Sequence, residues 1–261
     1  MSIRTSTEGG VATITLADPE VRNALTGEET LEDILDALDE AEADPEVVVV
    51  VIDAEGPAFS SGGNVKDMAA KDGLFGGAPS EQVERYRATI QQLTRFLATT
   101  DLVTIASVNG PAVGAGFDLV LGCDLRFGSR NARFAHTFIE MGIIPGDGGA
   151  WLLPRVVGWQ RATELALTAR FITAAEAESY GVLLEIVPEE KLNSRVNEMA
   201  HSIATKPRPA VLLAKRLLRQ AKTMDLDGFL EFSAALQAIA HTTPEHETAL
   251  ADYVEKLENR A

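Results

Sequence analysis

Two glycine-rich turns, each directly after a strand-like run, most constrain what this chain can fold into. Residues 47–52 (VVVVVI) predict a strand covered on both faces, and the turn over residues 58–68 follows it. Residues 104–108 predict a weaker strand, and the turn over residues 109–119 follows it and opens a helix. Glycine lets the backbone approach a ligand closely, and a helix N-terminus offers free N–H donors. The turns therefore indicate either one shared binding site or two ordinary tight turns in a packed core.

The pattern of predicted elements changes near residue 190, from mixed strands and helices to helices alone. Residues 11–16 alternate apolar and polar side chains, which is typical of a half-buried strand, and a weaker strand is predicted around residues 184–187. Helical patterns recur at residues 82–98, 114–122, 148–154, 161–168 and 174–180, and later at 191–204, 209–223, 227–240 and 245–258. This predicts an α/β core over residues 1–190 and a helical region over residues 191–261. The helical region either caps its own core or packs on a neighbouring subunit.

Two shorter segments predict further local structure, a helix and a loop. Thr26, followed by two glutamates, predicts a helix N-terminus. The helix after it places Leu31, Ile34, Leu35 and Leu38 on one face. The segment over residues 69–80 is small, polar and rich in glycine, which predicts a loop over a site.

The charge balance excludes one class of function. The chain has 39 acidic and 23 basic residues, a formal net charge of −16, and such a surface repels nucleic-acid phosphates. We therefore predict no nucleic-acid partner. No apolar run reaches signal-peptide or bilayer-spanning length, which predicts no membrane association. The single cysteine, Cys123, excludes an internal disulfide framework and predicts a cytoplasmic location.

Several ordered segments together resemble the crotonase family of enoyl-CoA hydratases and isomerases. The resemblance covers essentially the whole chain. It includes residues 22–25 (RNAL), both glycine-rich turns, Cys123-Asp124, residues 142–149 (GIIPGDGG), residues 153–158 (LPRVVG) and the helical tail. It implies a crotonase-like spiral of ββα units with a C-terminal α-helical region, assembled as a homotrimer or as a hexamer (a dimer of trimers). It also implies an acyl-CoA substrate, no separate cofactor and a place in fatty acid metabolism.

The resemblance implies an oxyanion hole made by the backbone N–H groups of Gly63 and Ala115. Negative charge builds on a thioester oxygen when an α-proton leaves, and each preorganised donor is worth roughly 2.7–4 kcal/mol. Relatives often have glycine where this chain has Ala115, which serves equally if its φ is negative. Because an acidic surface also repels CoA, the site needs local positive charge or helix N-termini.

The resemblance further implies a set of residues along the substrate. These are Arg22, Ala24, Ser61, Gly62, Asn64, Val65, Lys66, Gly114 and Phe138. Arg22 and Lys66 are candidates for the CoA phosphates, or else solvated surface charges. Phe138, with Phe75 and Trp151, indicates either a hydrophobic pocket or core packing.

The acid and base residues depart from the pattern of the family's hydratases, which use two glutamates. The first falls at Asp118, and the second falls at Phe138, which has no proton to give. Hydration needs a positioned base and acid, whereas one carboxylate suffices to shift a double bond. Asp118 is therefore either catalytic or a helix-capping carboxylate.

Two further carboxylates are candidates. Asp147 follows Gly146, the position where isomerases and dehalogenases of the family place their acid or nucleophile, and its alternative role is helix capping. Glu140 lies two residues after Phe138, and on an extended segment these two side chains would project to the same side. The lone His136 is interpreted as a structural or surface residue, and no metal-ligand spacing is present.

Hydration or double-bond isomerisation of an enoyl-CoA is the predicted activity, which makes the chain a lyase or an isomerase. The alternatives are a C–C bond (β-diketone ring-opening) hydrolase of the same superfamily and a non-catalytic acyl-CoA binder. The hydrolase alternative uses Asp147. The two histidines that such hydrolases also use are replaced in this chain by Ala115 and Phe138.

Overall fold

The computed structural model describes residues 2–25, 28–71 and 73–259. The strands in these ranges are β1 (Ile3–Glu8), β2 (Val11–Leu16), β3 (Val49–Ala54), β4 (Val103–Val108), β5 (Pro111–Val113), β6 (Leu125–Ser129), β7 (Arg133–Ala135), β8 (Ile172–Thr173) and β9 (Glu185–Val187). The α-helices are α1 (Glu28–Ala43), α2 (Val65–Ala70), α3 (Pro79–Ala88), α4 (Ile90–Thr99), α5 (Ala115–Gly122), α6 (Gly149–Val157), α7 (Trp159–Thr168), α8 (Ala174–Ser179), α9 (Leu192–Ala204), α10 (Arg208–Gln220), α11 (Leu226–Ala240) and α12 (Pro244–Glu258). Within the described ranges, no helix combines the length and apolar character that crossing a bilayer requires.

A six-stranded sheet of order β1-β2-β3-β4-β6-β9 forms the centre of the molecule. β1 pairs antiparallel with β2, and every other pairing in this sheet is parallel. Along β3, Val49 and Val51 pack with Leu192 of α9, whereas Val50 and Ile52 pack with the cluster on the opposite face. The predicted burial of this strand on both faces is therefore confirmed.

A second sheet of order β5-β7-β8 carries the later turn toward the central sheet. β5 is parallel to β7, and β8 runs antiparallel to β7. α5 begins two residues after β5 ends, so the turn at Gly114 leads straight into a helix N-terminus. This arrangement fixes the backbone of the turn on two ordered elements.

The local predictions mostly agree with the structure. The strand over residues 11–16 is β2, and the apolar face of α1 is buried at Leu31, Ile34 and Leu38. The predicted helix start at Thr26 lies outside the described residues. The single helix predicted over residues 82–98 was wrong, because Thr89 (φ −122°, ψ −100°) leaves the helical region and separates α3 from α4.

The predicted loop over residues 69–80 contains more structure than expected. It includes the end of α2, a 3₁₀ helix at Gly73–Phe75 and the start of α3. Leu74 of the 3₁₀ helix is buried. Apolar burial, which a composition-based prediction does not detect, orders this segment.

The C-terminal helices attach to the core by charge as well as by apolar contact. Lys215 of α10 is buried, donates to the Leu102 carbonyl and pairs with Asp124 at 2.7 Å. Arg219 of the same helix pairs with Asp101 at 3.0 Å. The boundary at residue 190 stays a prediction, since α9 packs directly on the central sheet.

Candidate active site

The two glycine-rich turns lie side by side. Ser60 pairs with Ala112 in a parallel bridge, and the Val113 N–H donates to the Ser60 carbonyl at 2.9 Å. Gly62, at φ 74°, faces the second turn so closely that a Cβ there would lie 2.4 Å from the Val113 oxygen. Gly62 must therefore be glycine, and the main chains of the two turns come into contact.

Two backbone amides at this contact have no acceptor. Neither the Gly63 nor the Ala115 N–H donates a hydrogen bond to another described residue. Ala115 is the first residue of α5, where a helix leaves its N–H groups without intrahelical partners. The positive φ of the turn falls on Gly114 (φ 54°, ψ −123°), and Ala115 keeps a negative φ. The condition under which alanine serves as the donor residue is met.

The residues that carry these amides, Gly63 and Ala115, both line one cavity of about 180 Å³. The sequence-predicted residues in its lining are Ser61, Gly63, Val65, Phe75, Gly114, Ala115, Phe138 and Asp147. The residues in its lining that the sequence did not predict are Met68, Leu74, Tyr86, Ile90, Val113, Thr137, Met141 and Ile143. A larger open groove of about 580 Å³ beside Trp159 and Tyr180 is not lined by either turn. The smaller cavity is the candidate site because it combines apolar walls with polar groups that converge.

Asp147 is the carboxyl group in this cavity. Its turn is held by α4, from which Gln91 donates to the Gly146 carbonyl at 2.8 Å and Thr94 donates to the Asp147 carbonyl. The side chain is 6% exposed, and its Oδ1 has no hydrogen-bond partner among the described residues. Burial first, and then the charge and hydrogen bonding of Asp118, raise the pKa of Asp147 well above its usual range. The predicted alternative, helix capping, does not describe its side chain, because Gly148 caps α6 without a side-chain bond.

Asp118 lies behind Asp147 and is held from two sides. Its Oδ1 is 2.5 Å from His136 Nε2, and its Oδ2 accepts the Gly149 N–H at 3.0 Å. It lies in the first turn of α5 but caps the N-terminus of α6. Asp118 does not line the cavity, so it reaches the site through Asp147.

Comparison with known proteins identifies the family. Residues 6–260 match the family model described as enoyl-CoA hydratase/isomerase. The chain belongs to this family.

Individual relatives of the enoyl-CoA hydratase/isomerase family cover nearly the whole chain. The 1,2-epoxyphenylacetyl-CoA isomerase of Escherichia coli (strain K12) is 32% identical over 95% of this chain and 94% of its own length. The short-chain-enoyl-CoA hydratase of Clostridium acetobutylicum is 30% identical over 95% of this chain and 93% of its own length. The solved structure of an enoyl-CoA hydratase from Bacillus anthracis matches with a TM-score of 0.90 at 29% identity, over 98% of this chain and 97% of that one.

These comparisons confirm the predicted family and the crotonase-like α/β fold. They also confirm an enzyme of the enoyl-CoA hydratase/isomerase type, a lyase or an isomerase, with an acyl-CoA substrate. Among the described side chains, no group of three or more histidines, cysteines, aspartates and glutamates is arranged to hold a metal ion.

The structure corrects the geometric argument for Glu140. The segment after His136 is a 3₁₀ helix at Thr137–Met141 rather than an extended strand. Residues two apart on such a helix point in different directions, so Phe138 is buried and Glu140 is exposed. Glu140 does not line the cavity, and the structure does not bring it to the site.

The candidate CoA-binding residues divide between the cavity and its surroundings. Arg22 and Lys66 are exposed, and Ala24 is buried. The Ser61 N–H donates to the Arg22 carbonyl at 2.9 Å. This hydrogen bond holds the segment at residues 22–25 against the first glycine-rich turn. Asn64 caps α2, where its side chain accepts the Lys66 N–H at 3.0 Å.

Sequence reasoning missed two polar groups near Asp147. Tyr86 lines the cavity, and burial first and then Asp147 raise the pKa of its phenol. Its helix ends at Ala88, before the buried Ile90 begins α4, so no helix-face spacing in the sequence indicated its position. His136 was interpreted as a structural or surface residue, and no local pattern indicates its contact with Asp118.

Proposed function

We propose that this enzyme isomerises an enoyl-CoA by moving one proton with Asp147 while the Gly63 and Ala115 N–H groups hold the thioester oxygen. The proposal rests on one observation, the shared cavity of Asp147, Gly63 and Ala115. A buried carboxyl with a raised pKa lines the same cavity as two amides that lack acceptors. Among the acidic residues that the structure describes, Asp147 alone lines that cavity.

The chemistry follows from these positions. The Asp147 carboxylate takes a proton from C2 of a 3-enoyl-CoA, and the electron pair moves onto the thioester oxygen. The resulting dienolate oxygen accepts hydrogen bonds from Gly63 and Ala115, and the N-terminus of α5 favours its charge. Asp147 then returns the proton to C4, which leaves the double bond between C2 and C3. A raised pKa suits this role, because the carboxyl retains the proton between the two steps.

The residues that line the cavity favour isomerisation over hydration. Phe138, at the position of the second hydratase glutamate, is buried in the wall beside Gly114 and offers no proton to an attacking water. The apolar lining suits a fatty acyl chain, which would place the reaction in fatty acid metabolism. One relative is named for isomerisation of a CoA thioester. Proton transfer of this kind needs no separate cofactor, and the CoA ester is the substrate.

Parallel assays with 3-hexenoyl-CoA and crotonyl-CoA test this assignment. We expect isomerisation to exceed hydration by at least about 100-fold in kcat/KM, the lower end of what a positioned acid or base contributes. Equal or faster hydration of crotonyl-CoA would contradict the isomerase assignment. Ring opening of a cyclic β-diketone would favour the hydrolase alternative, and acyl-CoA binding without turnover would favour the non-catalytic one. The hydrolase alternative has no histidine in the described part of the lining to support it.

We also propose a homotrimer, or a hexamer of two trimers, in the cytoplasm. The exposed apolar residues of α12 support self-association. Leu250, Tyr253, Val254 and Leu257 are 45–62% exposed and repeat at the spacing of one helix face. Contiguous exposed apolar side chains of this kind are typical of protein interfaces. The burial of Cys123 is compatible with a reducing compartment.

The double substitution Leu250→Glu and Tyr253→Glu tests self-association. We expect light scattering after gel filtration to give a trimer or hexamer mass for the unmodified protein and a monomer mass for the variant. Asp252→Arg, on the opposite face of α12, serves as the control and should keep the oligomer. A monomeric unmodified protein at micromolar concentration would contradict the proposal.

A further inference from the structure

A buried histidine lies one layer behind the cavity. His136 is 1% exposed, and its ring meets Phe117 and Phe138 edge-on at centroid distances of 5.0 and 5.6 Å. Its Nε2 is 2.5 Å from Asp118 Oδ1, and its Nδ1 has no partner among the described residues. We assign the proton to Nε2, because a ring protonated on both nitrogens would leave a charged N–H without an acceptor.

Asp118, the carboxylate that His136 contacts, is also held by the N-terminus of a helix. Asp118 also accepts the Gly149 N–H at 3.0 Å, at the N-terminus of α6, where the helix dipole favours negative charge. A Cβ on Gly149 would lie 2.1 Å from Asp118 Oδ1, so glycine at that position makes room for the carboxylate. Donors on both oxygens favour the charged form of a carboxyl group.

Asp147 has no comparable set of donors. Its Oδ1 has no partner in the part of the chain that the structure describes, and the bond to its own backbone N–H has the smallest effect on its pKa. A proton that enters a buried pair of carboxyls stays on the one with fewer hydrogen-bond donors, because donors stabilise the charged form of the other. The other titratable group that faces Asp147 is Tyr86, whose raised pKa keeps it a neutral phenol. The proton that Asp147 takes from the substrate therefore stays on Asp147, because Asp118 already has a donor on each oxygen.

We propose that His136 is a positioning residue that keeps Asp118 charged after Asp147 has taken the proton from the substrate, so that this proton stays on Asp147. The proposal rests on the proposed function, in which Asp147 moves the proton. The proton passes from C2 to Asp147 and then to C4, while Asp118 and His136 keep their protonation states. Without the His136 donor, the proton taken from C2 divides between the two carboxyls, and Asp118, outside the cavity, cannot return it to C4.

Substitutions that remove or retain the donor test this role. His136→Leu and His136→Asn, which is too short to reach Asp118, should lower kcat by about 10-fold to 100-fold, the range of one hydrogen bond to a charged group. KM should change less than threefold, because His136 does not touch the cavity. His136→Gln, which offers an N–H near the position of Nε2, should restore most of kcat. Equal loss in the Gln, Asn and Leu variants would show that the ring only fills space and would overturn the proposal.

A second readout does not depend on turnover. In protein labelled with ¹³C at the aspartate carboxyls, the Asp147 signal is assigned by its loss in Asp147→Asn. We expect it to titrate in one step above the usual aspartate range, in two steps in the Leu and Asn variants, and in one step again in the Gln variant. An unchanged titration in the Leu and Asn variants would overturn the proposal. Lack of isomerase activity in the unmodified protein would instead contradict the proposed function and leave this readout decisive.

Discussion

Asp147→Asn is expected to lower kcat for 3-enoyl-CoA isomerisation by about 10²–10⁴-fold, the usual contribution of a positioned acid or base. The amide keeps the size of the side chain but cannot take a proton from C2. KM should change little, because the thioester oxygen and the acyl chain still contact Gly63, Ala115 and the apolar wall. Stopped-flow absorbance at saturating substrate measures kcat directly.

The pH dependence gives this prediction a second measurement. Asp147 must be ionised to act as a base, and its pKa is raised by burial and by Asp118. The acid limb of kcat/KM should therefore lie above the ordinary aspartate range, with activity falling as pH decreases through the raised pKa. Asp147→Asn should abolish that limb in the residual activity.

Asp53→Asn provides a matched control for this substitution. Asp53 is half-buried, with a pKa raised first by burial, but it lies on β3 and outside the cavity lining. Its variant should keep the rate and the acid limb of the unmodified enzyme. Full activity in Asp147→Asn, or equal losses in the two variants, would contradict the assignment of Asp147.

The sequence was most informative where a local pattern fixes the backbone. The run at residues 47–52 predicted a buried strand because β-branched side chains on both faces suit a covered parallel sheet. The turns after that strand and after β4 then had to lie at the same edge, since β3 and β4 are parallel neighbours. Gly62 and Gly114, both at positive φ, are where glycine was required. The choice of the Gly63 and Ala115 amides came from the family resemblance, and the strand pairing brings the two turns that contain them together.

The acid and base groups were harder to predict because they depend on contacts between distant segments. Asp118 meets Gly149 across 31 residues and His136 across 18 residues, and no periodicity reports such a pair. Glu140 was misplaced because the segment after His136 coils into a 3₁₀ helix, which reverses the direction expected for an extended chain. The pKa of Asp147 likewise depends on burial and on Asp118, neither of which a sequence displays.

The net charge of −16 places a requirement on the CoA end of the site. The structure offers two exposed cations, Arg22 and Lys66, on segments adjoining the first turn, and a helix N-terminus at Ala115. A helix N-terminus stabilises negative charge within about one turn, which suits the thioester oxygen rather than remote phosphates. In the proposed mechanism the two requirements are therefore separated: the N-terminus of helix α5 stabilises charge on the reacting oxygen, and the side chains of Arg22 and Lys66 are left for the nucleotide end.

Ala115→Pro should lower kcat by about 10²–10³-fold, the effect of losing one oxyanion donor. Proline removes the N–H and leaves the rest of the main chain in place. The position tolerates it, since Ala115 is the first residue of α5, where proline is common. The preceding Gly114 has no Cβ to clash with the proline ring. The helix should form as before, so the loss reflects the missing donor and the ring carbon in its place.

Ala115→Gly is the matched control, because it changes the side chain and retains the donor. Its kcat should stay within about threefold of the unmodified enzyme, since glycine at the first position of a helix costs little. Circular dichroism and the binding of a saturated acyl-CoA should be nearly the same for both variants, because charge on the oxygen develops only as the proton leaves. A proline variant that turns over normally would show that the Ala115 amide does not act on the oxyanion. A proline variant that is folded but cannot bind acyl-CoA would place its effect on the ground state rather than on the enolate.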